Sequence, residues 1–181
     1  MLDGLKSWFC NFAQFSRALV TPEVLTDIPQ PYAEFAIFSC IKGGEISSIL
    51  GGLIIHPVYR YYLVRKLTPE NTTNNSRKII RNICRRIQGR CLLGGLAIGP
   101  IAGFIYIKCC NINEAELKEK CYRIRCHEQN MVWDRSSVAF GFLGWYWRRF
   151  QGAVNGISLA LVYTILYFTV ILIFHLIKIS Y

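Results

Sequence analysis

Four apolar stretches divide the chain. They run from about Tyr32 to about Pro57, between Arg90 and Lys108, from Ser136 to Trp147, and from Gly152 to Ile177. A helix needs roughly 20 apolar residues to cross a bilayer core, and in lipid the backbone must close its own hydrogen bonds. The first, second and fourth stretches meet that length. The third is short. It must take in Met131-Val132-Trp133 or pass Arg148 and Arg149 by snorkelling; a re-entrant or interfacial helix is the alternative reading. The spacing predicts an all-α membrane protein, a four-span glycine-rich transmembrane helix bundle.

Residues 1–20 follow a different pattern. Leu2, Leu5, Trp8, Phe9, Phe12, Phe15 and Leu19 recur at helical spacing, with Asp3, Lys6, Asn11, Gln14 and Arg17 largely opposite. This predicts an amphipathic helix retained at the membrane surface or on a partner. Asp3 and the scarcity of arginine argue against a mitochondrial presequence, and no basic start leads into a continuous apolar core as in a secretory signal. Thr21 to Pro31, with Pro22, Pro29 and Pro31, reads as a loop. The chain thus divides into an N-terminal segment, 1–31, and a transmembrane domain, 32–178, with a basic loop at 60–90 and a mixed-charge loop at 109–135.

Small residues mark the spans. Gly95, Gly99 and Gly103 lie four apart, as do Gly43, Ser47 and Gly51, then Gly44, Ser48 and Gly52, and Gly152, Gly156 and Ala160; Gly141 and Gly144 stand in the third span. Residues four apart share a helix face, so another backbone can come very close. In water each such glycine weakens a helix by about 1 kcal/mol. No Lys-Ser or Lys-Thr follows the 94–103 run, which argues against a phosphate-cradling loop. The stripes predict a tight intramolecular bundle with Gly99 near its centre. Trp145, Trp147 and the bulky second half of the fourth span are left to face lipid or another subunit.

Composition agrees. Of 181 residues, 52% are hydrophobic and 18% charged, below the roughly 25% charged of a soluble domain. The net charge of +10 is unevenly placed. Residues 60–90 carry Arg60, Arg65, Lys66, Arg77, Lys78, Arg81, Arg85, Arg86 and Arg90 against Glu70 alone. Arg148 and Arg149 follow the third span. The N-terminal segment, the nearly neutral 111–135 segment and the tail lie on the other side. The positive-inside rule puts both termini outside, toward the intermembrane space if the membrane is mitochondrial. The sequons Asn71-Thr72-Thr73 and Asn74-Asn75-Ser76 then stay unused.

From Ser76 on, Ile79, Ile80, Ile83 and Ile87 line a helix among arginines. Arg81, Arg85, Arg86 and Arg90 suit anionic lipid head groups, with bound cardiolipin a candidate. Nucleic acid competes for that charge, but no recognition module accompanies it. Lys42 and Glu45, three apart inside the first span, fit two roles: a structural ion pair or the lining of a polar path. Asn155 is placed to hydrogen-bond across helices. His175 has no partner for a metal or proton role. Asn113 is a candidate helix cap ahead of Glu114. Eight cysteines make no zinc spacing and no Cys-x-x-Cys. Cys109, Cys110, Cys121 and Cys126 cluster, and either stay thiols or form a disulfide in an oxidising space. No Gly-x-Ser-x-Gly or His-Glu-x-x-His motif occurs, and neither a catalytic set nor a cofactor or metal site is expected.

Three pieces carry a resemblance: Gly94-Gly95-Leu96-Ala97-Ile98-Gly99, then Asp134-Arg135-x5-Gly141-x2-Gly144, then Gly152-Ala153-x2-Gly156. Over about residues 35–175 the layout resembles the mitochondrial inner-membrane translocase family, the preprotein and amino-acid transporter superfamily, which includes accessory subunits of respiratory complex I. The resemblance implies a non-catalytic accessory or assembly subunit of complex I, with membrane lipids and other membrane subunits as partners. The alternative it implies is a component of an inner-membrane protein-translocation or small-solute channel.

Overall fold

A computed structural model describes residues 3–13, 22–68 and 75–180. Among them every regular element is helical. In chain order they are α1 (Asp3–Ala13), α2 (Pro22–Thr26), α3 (Pro31–Ile49), a π-helical turn (Leu50–Ile55), α4 (His56–Arg65), α5 (Ser76–Cys109), α6 (Glu114–Cys126) and α7 (Glu128–Ser180). Three helices are long and apolar enough to cross a membrane: Pro31–Arg65, Ser76–Cys109 and Glu128–Lys178. Residues 14–20 of the expected amphipathic helix and the middle of the sequon stretch lie outside the described residues.

The first long helix continues through α3, the π turn and α4. Pro57 has no N–H to return to the carbonyl four residues back. The ladder widens there instead, and the His56 N–H donates to the Gly51 carbonyl. The widened turn sits where three helices meet. A Cβ on Gly51 would stand 2.8 Å from Cys91 Cβ, and one on Gly52 would stand 2.9 Å from Val154 Cγ1.

α3 and α5 run antiparallel in backbone contact. A Cβ on Gly95 would run into the Gly43 carbonyl oxygen and the Ser47 side chain, and one on Gly99 into the Ser39 carbonyl oxygen. Gly103 faces Ser39 and Phe35, and Gly44 faces Leu96. Gly94 is the exception, with open space around it.

The α7 helix folds back on itself. Arg148 (φ −131°, ψ 21°) and Arg149 (φ 56°, ψ −143°) break it into two arms, residues 128–147 and 150–180. Gly144 and Gly152 pack carbonyl against α-carbon in both directions, Gly156 meets the Phe140 carbonyl, and Gly141 lies against Ile157. Ser136 and Thr164 hydroxyls close the far end at 3.3 Å. Leu92, Ala153, Val154 and Ile157 form the core between α5 and the second arm.

Several expectations need correction. The basic 60–90 loop is shorter than expected: α4 extends the first long helix to Arg65, and the helix expected from Ser76 runs unbroken into the second apolar stretch as one 34-residue helix. The 21–31 segment contains α2, which Pro22 starts at a position where its missing N–H costs nothing and Glu23 suits the helix dipole. For the third apolar run one of the readings holds without correction: its helix begins at Glu128 and takes in Met131, Val132 and Trp133. Asn155 is exposed rather than turned to another helix, because Gly152, Gly156 and Ala160 occupy the packing face.

Candidate functional site

The charged residues of the bundle are sorted by end. At one end lie α1, α2, the start of α3, α6 and the start of α7. α6 is capped by Asn113, whose extended backbone and N–H to the Glu116 carboxylate (3.3 Å) make the capping arrangement its sequence predicts. Its inward face is Leu117, Cys121 and Arg125, each four apart and buried. Leu117 and Cys121 join Ile28, Phe35, Ile107 and Ile112 in a second apolar core.

Arg125 therefore enters an interior, and Glu34, in the first turn of α3, meets it. Arg125 Nε donates to Glu34 Oε2 at 3.0 Å, and a second nitrogen, Nη2, donates to Glu34 Oε1. Nη1 donates to the Leu25 carbonyl at 3.3 Å and to the Asp27 carbonyl at 3.0 Å. One guanidinium thus ties α6 to α3 and to the C-terminal end of α2. Burial, reinforced by the Glu34 carboxylate, pushes the Cys121 thiol up to about 12.

Two turns along α3 is Lys42. Its Nζ donates to Glu45 Oε2 at 3.0 Å and to Asp134 Oδ1 of α7, and stands 4.2 Å from the Trp133 ring centre. Glu45 and Asp134 are 1% and 3% exposed. The group holds two carboxylates for one ammonium. Among the described residues, Glu45 Oε1 and the Ser48 and Ser137 hydroxyls are buried with no hydrogen-bond partner; Ser137 stands beside Glu45 outside bonding geometry. A cavity of about 20 Å³ lies between the two charged groups, bounded by Glu34, Arg125 and Asp134 and closed by Trp8 and Phe12 of α1. That is room for about one water molecule. Arg135 Nη2 donates to the Asn11 carbonyl at 2.6 Å, which fixes α1 as the lid. Chemically this is a closed electrostatic lock.

The other end gathers the basic residues. Arg85, Arg86 and Arg90 face Arg148 and Arg149 of the α7 turn across one cavity. Arg81 lies in a neighbouring one with Arg60 and Arg77. The four arginines expected to act together are split between two cavities.

Of the sequence candidates, Lys42 and Glu45 are brought together, with Asp134 added as a partner. Asn155 takes no part. No disulfide joins any of the eight cysteines, so the pairing considered for Cys109, Cys110, Cys121 and Cys126 is not made; Cys109 and Cys110 are exposed. No group able to hold a metal ion occurs among the described residues. Sequence reasoning missed the Glu34–Arg125 pair. The signal for half of it is present, since Arg125 continues the Leu117–Cys121 spacing; nothing in the sequence points across the 91 positions to Glu34.

No curated protein matches the chain significantly. A family described as a protein of unknown function (DUF1757) matches residues 8–167, and the chain belongs to that family.

Proposed function

We propose that this chain is a non-catalytic integral membrane subunit that works by packing: a four-span bundle in the mitochondrial inner membrane, both termini toward the intermembrane space, built into respiratory complex I as an accessory or assembly component. One observation carries the packing role. The bundle is inverted relative to a soluble protein and sealed: charged Glu45 and Asp134 are inside, Ile98, Ile101, Phe104, Leu166 and Phe174 are outside, and the α3–α5 backbones touch. An apolar exterior suits lipid or subunit neighbours, and touching backbones leave no conduit between those helices. The arginine-rich end, placed inside by its charge, supports the orientation. The resemblance of residues 35–175 to a family that includes complex I accessory subunits is what supports the choice of complex.

The test is native electrophoresis of gently solubilised mitochondria carrying a tagged chain. Co-migration with complex I or its assembly intermediates is expected. Migration with a translocase, or as a free monomer, overturns the assignment. The lock at Lys42 favours a second reading, a component of a translocation or solute channel. Lys42→Gln with Glu45→Gln then abolishes flux while the chain stays inserted; unchanged flux removes that reading.

A further inference from the structure

The cavity between α5 and the α7 turn has a volume of about 440 Å³. Arg85, Arg86, Arg90, Arg148 and Arg149 line it, and no acidic residue does. Among the described residues none of the five has a carboxylate partner, in contrast with Lys42 and Arg125. Five like charges around one space repel one another, and the repulsion grows as the surrounding dielectric falls. The arrangement calls for an anion.

The geometry prepares the arginines rather than leaving them loose. Arg85 Nε donates to Gln151 Oε1 at 2.6 Å, which ties α5 to the second arm and commits the inner nitrogen of that guanidinium. Arg149 sits at φ 56°, ψ −143°, a conformation that glycine adopts at far less cost, with its guanidinium 5.5 Å from the Trp145 ring centre. Gly89 lets the turn approach: a Cβ there would stand 3.0 Å from Phe150 Cβ. The remaining wall is apolar, supplied by Leu93 and Phe150.

We infer that this cavity binds the head group of an anionic phospholipid, preferentially one with two phosphodiesters, through Arg90, Arg148 and Arg149, with Arg85 held in place by Gln151. Guanidinium forks match phosphate oxygens in pairs. Basic pockets between spanning helices on the inner side are where such head groups dock. The apolar wall separates a lipid from a soluble phosphate, since only a lipid brings chains to cover Leu93 and Phe150. The inference rests on the chain lying in a bilayer and is independent of which complex contains it.

The test uses the purified full chain in detergent, delipidated and titrated with cardiolipin, phosphatidylcholine or inorganic pyrophosphate, with bound lipid counted by native mass spectrometry. Cardiolipin is expected to bind tightest and to displace pyrophosphate. Arg148→Gln with Arg149→Gln is expected to weaken cardiolipin binding about tenfold per arginine, the factor for one lost charge-assisted hydrogen bond, while Arg148→Lys with Arg149→Lys retains most of it. Equal binding of cardiolipin and phosphatidylcholine overturns the inference. So does wild-type binding by the glutamine variant. Pyrophosphate that cardiolipin cannot displace makes the cavity a soluble-anion site. If the glutamine variant fails to fold, the wild-type competition decides alone. Absence of the chain from complex I on a native gel leaves this test standing.

Discussion

The two ends of the bundle solve opposite problems with the same residue types. At the α6 end, Arg125 is buried and Lys42 half-buried, and each has a buried carboxylate partner from another element. At the α7-turn end, five arginines share a cavity with no acid. A buried charge must find a partner within the protein, because removing it from water costs several kcal/mol. A charge at the surface of a membrane can take its partner from the lipid or from water. The first end is therefore complete in itself, and the second is open to something outside the chain. The glycine faces between them hold the two ends in register.

The comparison breaks most completely if that register is lost. Gly99→Leu places a side chain into the Ser39 carbonyl, on a helix face with no freedom to shift. Overpacking of this kind costs about 3 kcal/mol or more, and loss of the inserted, protease-resistant form is expected. Gly94→Leu, on the same helix but facing open space, is expected to change stability by less than about 0.5 kcal/mol. Thermal unfolding in detergent separates the two. Equal behaviour would mean that the Gly99 face packs against nothing.

Next in size is the closed end. Arg125→Met leaves Glu34 buried without its cation, and Lys42→Met leaves two carboxylates facing each other. Breaking a buried pair costs about 3–5 kcal/mol, and a fall in thermal midpoint is expected for both. Arg125→Met combined with Glu34→Leu is expected to recover much of the loss, since well-packed apolar residues often replace a buried pair. Arg123→Met, two positions away on the exposed face of α6, is expected to change almost nothing. A double variant as unstable as Arg125→Met alone would show that the guanidinium's bonds to Leu25 and Asp27, and not its charge pairing, hold this end.

Much of this architecture is legible in the sequence, and the limits have a physical cause. Helices, glycine faces and the basic end follow from spacing and composition, which are local. The register at Gly43, Gly95 and Gly99 is half legible: spacing marks each face, but only the fold says which faces meet. Glu34–Arg125 and Lys42–Asp134 join residues about 90 positions apart, and a single sequence holds no sign of such pairs. The break in α7 is legible as well, since Arg148 and Arg149 interrupt the apolar pattern between Trp147 and Gly152. Its tightness is not: Arg149 adopts a backbone conformation suited to glycine, so the turn lacks its usual residue signal. The π turn at Leu50–Ile55 is readable in hindsight, with Gly51, Gly52 and Pro57 close together.

At the open end the expected effect on folding is small and the effect on lipid is large. Arg90→Gln removes one of the five charges around a cavity that no acidic residue lines and relieves repulsion, so stability in detergent is expected to hold or rise by up to about 0.5 kcal/mol. The same substitution weakens retention of anionic lipid. A clear loss of stability without lipid would show that Arg90 has a protein partner and that the ends are not opposites.

The smallest effect sharpens the closed end without altering its charges. Cys121 lies in the apolar core between α6 and α3, with its Sγ 3.5 Å from the Pro31 carbonyl oxygen. Only the thiolate attacks an alkylating reagent, and burial has pushed this thiol up to about 12. At pH 8 fewer than about one molecule in a thousand carries the thiolate, and the reagent must also reach it. Cys109 and Cys110 are exposed at the C-terminal end of α5. Alkylation followed by mass spectrometry is expected to label Cys109 and Cys110 within the time that leaves Cys121 untouched. In the Arg125→Met variant, labelling of Cys121 is expected to rise as α6 lifts from α3. If Cys121 instead reacts as fast as Cys109 in the intact protein, α6 is not seated on the bundle, and the closed end is as open as the arginine end.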